Sequence, residues 1–174
     1  MVIIKIPVTQ DIITRAEAMS NDMGALRNSI THGDGNIAGF IGEIIFCDFI
    51  KGEHSNTYDY DVVKDGEKWD VKTKRCTSPP KSFYECSVAN FNTSQACDNY
   101  CFMRIQQNDG RWGDAYLLGW MPRVVYYDAA KFLKKGDIDP SNNFRVKADC
   151  WNLPISKLRR FYVDESLKVL DIQR

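Results

Sequence analysis

The sequence lacks any apolar run near the 18 or so residues of a membrane span, and its start, MVIIKIPVTQD, has no basic leader before an apolar stretch. A membrane partner is therefore not expected, and a cytoplasmic chain is. Histidine is scarce: His32 and His54 each stand alone in a polar, glycine-containing loop, with no second His or Cys at ligand spacing, which gives histidine-based metal or acid-base chemistry little support. The six cysteines include no CxxC pair and no Cys/His quartet; Cys97 and Cys101 are four apart, but reduced, packed thiols are the better reading. Internal repeats, low-complexity tracts and linkers rich in Pro, Gly or Ser are all missing. That leaves one domain spanning 1–174, long enough to bury a core without staples.

Net charge is also missing, since 23 basic side chains balance 23 acidic ones, so whole-chain electrostatics do not announce a nucleic-acid partner. The distribution is uneven. Residues 1–63 carry a net −5, 64–120 a net +1 and 121–174 a net +4. Within this gradient Lys72, Lys74, Arg75 and Lys81 form a basic stretch with no acid between them.

What is present, 44% hydrophobic and 26% charged residues, is the composition of a globular domain. Val2 to Ile6 reads as a strand stopped by Pro7. Thr9 can cap a helix reaching about Leu26, with Val8, Ile12, Ile13, Ala16, Met19 and Met23 on its apolar stripe. A break at Thr31 to Gly35 precedes a second helix from about Asn36 to Ile50. Ser82 to Val88, Tyr100 to Gln106 and Trp112 to Trp120 read as strands, and Asn92 to Cys97 as a short helical stretch. Pro122 opens a helix closed by Gly136, a short helix falls near Ile155 to Arg160, and a last strand is expected at Leu167 to Ile172.

The clearest local signal runs from Tyr58 to Lys74. Two alternating runs rich in β-branched and aromatic residues meet at Asp65-Gly66, which specifies a two-residue hairpin. In that register Lys64 opposes Glu67, Val62 opposes Trp69, and Asp61 opposes Asp70. Paired carboxylates on one face, with Cβ atoms about 4.5–5.5 Å apart, repel and need a cation. Lys72, two residues beyond Asp70, turns to the same face. Two acids and a lysine can hold a hard divalent ion and stabilise a phosphodiester transition state. Asp-x-Lys alone more often decorates the wet face of a hairpin.

The preceding helix adds weight. Gly39-Phe40-Ile41-Gly42-Glu43 places an acid in an otherwise apolar helix, where an unpartnered carboxylate costs several kcal/mol. The two glycines, each costing about 1 kcal/mol relative to Ala in a helix, predict close backbone approach.

The helix with Gly39 to Glu43, an acid in the first hairpin strand and Asp70-Val71-Lys72 in the second together resemble the PD-(D/E)XK nuclease superfamily. The resemblance covers roughly residues 36–106, with 107–174 as an elaboration. The segment from Gly119 to Asp137 is similar to extensions of small phage-encoded nucleases, which would place the chain in the cytoplasm of a host cell. The resemblance implies an α/β (α+β) fold with a restriction-endonuclease-like core, a mixed sheet flanked by helices. It further implies Mg²⁺ or Mn²⁺ as cofactor, and nucleic acid, DNA before RNA, as partner. Residue by residue, it implies Asp61, Asp70 and the Val71 carbonyl as metal ligands, assisted by Glu43. Lys72 would handle the attacking water, and Gln95 would complete the catalytic group. Two departures stand out: Tyr60 occupies the proline position, and Asp70 takes a place often held by Glu. Asp59 competes with Asp61 as first acid, and by register it opposes Lys72.

The first functional expectation is thus a magnesium-dependent deoxyribonuclease, with Lys72, Lys74, Arg75 and Lys81 holding the phosphate backbone and a homodimer among its assembly states. The second is an accessory protein that keeps the fold and binds nucleic acid without turnover. The third is a partner-binding protein whose hairpin is purely structural.

Overall fold

The computed structural model describes residues 3–24, 34–55, 57–140, 143–164 and 169–171. The first strand, β1 (Ile4–Pro7), stops at the expected proline. The Thr9 hydroxyl then accepts the Ile12 amide at 3.4 Å and caps α1 (Gln10–Gly24). The expected helix end at Leu26, and Thr31, His32 and Gly33 of the expected break, lie outside the described residues. The second helix, α2 (Asp34–Ile50), starts two residues before its predicted position. Among the described residues no helix is long and apolar enough to cross a membrane.

Strands β2 (Glu53–His54), β3 (Val62–Lys64), β4 (Glu67–Cys76), β5 (Glu85–Ala89), β6 (Asn99–Asn108) and β7 (Arg111–Pro122) follow. The main sheet has the order β1-β7-β6-β4-β3-β2, antiparallel except for the parallel pair β4–β6. The fold is therefore mixed α+β. Its sheet takes β1 and β7 from outside residues 36–106. Asp65 and Gly66 have φ of 50° and 81°, the two left-handed positions of the predicted hairpin turn, and Lys64 pairs with Glu67 as the turn dictates.

Two expected helices are cut short, and the strand expected at Ser82 to Val88 forms as β5, in a sheet apart from the hairpin. It pairs with β11 (Cys150–Pro154) in a second sheet of order β5-β11-β8, β8 being Lys131–Leu133. The helix opened by Pro122, α3 (Arg123–Ala129), ends well before Gly136, because Ala130 turns extended and Phe132 packs on Trp151 with ring centroids 5.2 Å apart. Asn92 to Cys97 is not helical beyond a single 3-10 turn at Asn90–Asn92. The remaining elements are short: β9 (Ile138–Asp139) with β10 (Phe144–Arg145), a 3-10 turn at Ile155–Lys157, and β12 (Tyr162–Val163) with β13 (Val169–Asp171).

The main sheet separates two apolar cores. One gathers α1 and α2 with Trp69, Val71, Met103 and Leu117; the other gathers Tyr100, Phe102 and Leu118 with β5, α3 and β11. Period-2 alternation along β4 thus sends Trp69 and Val71 under α2 and turns Asp70, Lys72 and Lys74 to the opposite face.

The two helix glycines differ in role. A Cβ at Gly42 would collide with the Thr73 hydroxyl, so α2 touches β4 there through bare backbone, whereas nothing lies within 4 Å of a Cβ at Gly39. Close approach explains Gly42 and not Gly39. Gly42→Ala is expected to destabilise by about 1–3 kcal/mol, since stiff, β-branched Thr73 has little room to yield. Gly39→Ala should be neutral or gain up to about 1 kcal/mol of helix propensity. Urea unfolding followed by tryptophan fluorescence separates the two, and equal effects would contradict the packing argument.

Candidate active site

The expected seven-residue first strand is reduced to three. Thr57 explains the shortening: its hydroxyl accepts the Tyr60 amide at 3.0 Å and donates to the Tyr60 carbonyl at 2.8 Å. Local side-chain bonds of this kind compete with a sheet ladder for the same backbone groups. The ladder therefore ends at Val62–Trp69, and Asp61 does not sit across from Asp70 as the register predicted. The Asp61 amide donates to the Trp69 carbonyl at 2.8 Å, and its carboxylate accepts the Val71 amide at 2.7 Å. Asp61 thereby occupies the edge of β4 that β3 leaves uncovered. A residue in an extended strand presents its N–H and C=O to the same edge, so the Val71 carbonyl faces that opening too.

Asp70 is almost fully buried, with 5% of its side chain exposed, and it contacts the Lys72 ammonium at 2.6 Å. Gln95 completes a closed circuit. Its amide nitrogen donates to Asp70 at 2.8 Å and to the Tyr58 carbonyl at 2.7 Å, while its oxygen accepts from Lys72 at 2.9 Å. The loop carrying Gln95 is pinned twice: the Ala96 amide donates to Asp59 at 3.0 Å, and Arg123 donates to the carbonyls of Thr93 and Cys97. Asp59 thus serves as a loop anchor, while Asp61 is the one that feels the charges of Glu43 and Asp70. Lys72 also lies 5.6 Å from the centre of the Tyr100 ring.

Burial pushes the Asp61 carboxyl well above the ordinary carboxylate range, and the negative charges of Glu43 and Asp70 push it further, against the Val71 amide and Lys72. Asp70 is raised as well, because burial outweighs the opposing pull of Lys72 and Gln95. Glu43, on α2, lies 3.0 Å from His54 Nε2 on β2. Sequence reading missed that contact. A two-residue edge strand has no periodicity to detect, and only the fold brings residues 43 and 54 together.

These charges fit a hard divalent ion. Asp61 feels the charges of both Glu43 and Asp70 in poor solvent, Lys72 acts on Asp61 and Asp70, and the carboxylates offer oxygen donors of the kind Mg²⁺ prefers. Among the described residues no group of three or more His, Cys, Asp or Glu side chains is placed to hold a metal ion. A metal held by Asp61, Asp70 and the Val71 carbonyl would have to take the rest of its coordination from water or substrate.

The basic stretch does not form one surface. Lys72 and Lys74 share a face of β4, Arg75 points the other way to Gln107 at 3.2 Å, and Lys81 stands outside the sheet, 5.9 Å from the Phe83 ring centre. The six cysteines are free thiols. Burial pushes Cys86 and Cys97 up to about 12, so both stay protonated at neutral pH and pack as small apolar groups. No protein-family model matches the chain, and no curated protein matches it significantly.

An acid whose pKa is higher folded than unfolded costs stability as pH rises from its unfolded value through its folded one. Asp61→Asn keeps an oxygen to accept the Val71 amide and removes the charge. In metal-free buffer it is expected to raise Tm at pH 8, by an amount that shrinks toward pH 4. Thermal unfolding at both pH values checks this; an Asn variant less stable than the parent at pH 8 would refute the electrostatic account.

Proposed function

We propose that this chain is a divalent-metal-dependent nuclease on a restriction-endonuclease-like core, hydrolysing phosphodiester bonds in DNA. The observation carrying the reading is the closed Asp70–Lys72–Gln95 circuit beside Asp61 and Glu43, at a strand edge left open by the short β3. A lysine buried against an acid for stability alone gains little, since apolar replacements of such pairs often cost nothing. A lysine held ready for an incoming phosphate gains much.

Asp61, Asp70 and the Val71 carbonyl would hold Mg²⁺ or Mn²⁺, with Glu43 assisting. When bound, such an ion supplies Lewis acidity toward a phosphoryl oxygen. Lys72, held by Asp70 and Gln95, offsets the negative charge that grows on the phosphate and orients the attacking water. Gln95 fixes the rotamers of both partners, so little reorganisation remains when substrate arrives. Glu43 and His54 flank the opening on the helix side.

The test is cleavage of plasmid and single-stranded DNA by the purified chain, with and without Mg²⁺. Metal-dependent cutting is expected, falling by about 10²-fold or more in Lys72→Ala and in Asp61→Asn. Lys72→Ala strands a buried charge, at about 3–5 kcal/mol, so Asp61→Asn is the cleaner control for fold. Retarded mobility without cutting would instead favour an accessory, non-catalytic protein of the same fold. Absence of both would leave the cluster a structural one.

A further inference from the structure

A second site lies on the same face of β4. Lys74 follows Lys72 by two residues, about 13 Å along the strand from Asp70 at roughly 3.3 Å per residue, and opens into a cleft of about 410 Å³ between β5, β11 and the β9–β10 hairpin. That volume is in the range of ligand sites, about 300–1,000 Å³. A smaller pocket of about 100 Å³ shares Lys74 and Arg104 with the cleft and is also lined by Lys72.

The cleft floor holds two cations. Lys74 donates to the Ser87 hydroxyl at 2.7 Å, and Arg104 donates to the Glu85 carbonyl at 3.2 Å while its guanidinium lies 5.1 Å from the Tyr84 ring centre. Solvent reaches the Lys74 side chain, yet crowding around its ammonium, followed by the Arg104 charge, lowers its pKa. Two neighbouring cations on one cleft floor favour an anion beside them. Of the acids in the cleft, Asp139 accepts the Asn152 amide at 3.0 Å, and the Glu85 charge acts on Lys74 more weakly than that of Arg104. The rim is aromatic: Phe83 and Phe144 are 56% and 53% exposed, and each carries a lysine near its face, Lys81 at 5.9 Å and Lys147 at 5.8 Å.

We propose that this cleft takes an unpaired nucleotide of a nucleic-acid strand, its phosphate on Lys74 and Arg104 and its base against the Phe83 and Phe144 rings. A small free anion would use the floor and not the rim; an apolar ligand would use the rim and not the floor. A nucleotide uses both, and aromatic faces with adjacent cations are how single strands are held without base readout. The inference rests on the nuclease reading for the identity of the neighbouring site. It makes that site selective for DNA with a single-stranded portion next to the cut.

Fluorescence anisotropy in EDTA, where no metal-dependent cutting occurs, compares a blunt duplex with the same duplex carrying a six-nucleotide single-stranded tail. The tailed DNA is expected to bind about tenfold or more tighter, the size of one base–aromatic stack. Two double variants are each expected to erase that advantage: Lys74→Gln with Arg104→Gln on the floor, and Phe83→Ser with Phe144→Ser on the rim. Both rim rings are more than half exposed, so that variant should fold; Lys74→Gln alone serves if the floor pair does not. No tail advantage in the parent, or an advantage surviving in either variant, overturns the proposal. Tail-selective binding without Mg²⁺-dependent cutting would keep the cleft and sink the nuclease reading, and cutting without tail preference would do the reverse.

Discussion

A carboxylate kept nearly out of water within 2.6 Å of an ammonium governs how the rest of this molecule is arranged. Removing either charge from water costs several kcal/mol even after relaxation, and the attraction between them repays it only when the remaining hydrogen-bonding positions are also filled. Gln95 fills one on each partner, donating to Asp70 Oδ1 and accepting from Lys72, and much else serves to place Gln95. Asp59 and Arg123 tie down its loop, and α3 exists in part to supply Arg123. The chain thus commits a turn, a loop and a helix to positioning one amide.

The second arrangement follows from a strand that stops early. Had β3 continued through Asp61 to Tyr58, the edge of β4 would be sealed by ladder bonds, and the Val71 amide and carbonyl would be spent on them. Thr57 prevents this by capturing the Tyr60 backbone, and Asp61 caps the exposed edge with its side chain. The resulting opening lies between the helix-covered face, which contributes Glu43, and the opposite face, which contributes Asp70 and Lys72. Asp61 feels both acids because it stands at the boundary.

Local rules made much of this legible. Asp-Gly fixed the turn, period-2 alternation placed Asp70 with Lys72, and an acid within an apolar helix marked Glu43 as unusual. What remained hidden depends on contacts distant in sequence. Gln95 enters only through the family resemblance, because its own bonds form when a loop 25 positions from Asp70 folds back on it. His54 needs an edge strand of two residues. The pairing of β5 with β11, across some sixty residues, carries no local signature, and the same holds for the partnership of Lys74 with Arg104 across the parallel β4–β6 pair. Asp61 shows the limit of extending a register: the turn dictates pairing only as far as the strand lasts.

The contact between Gly42 and Thr73 sets more than a distance. A helix shifting along its axis moves in steps of one turn, about 5.4 Å, and such a step would bring Ala38 or Phe46 to the place Gly42 now holds. Neither leaves room for the threonine. The helix is therefore keyed to the strand at Gly42, and Glu43, the next residue, takes its height along β4 from that contact. The charge that Glu43 exerts on Asp61 is then set by how α2 seats on β4.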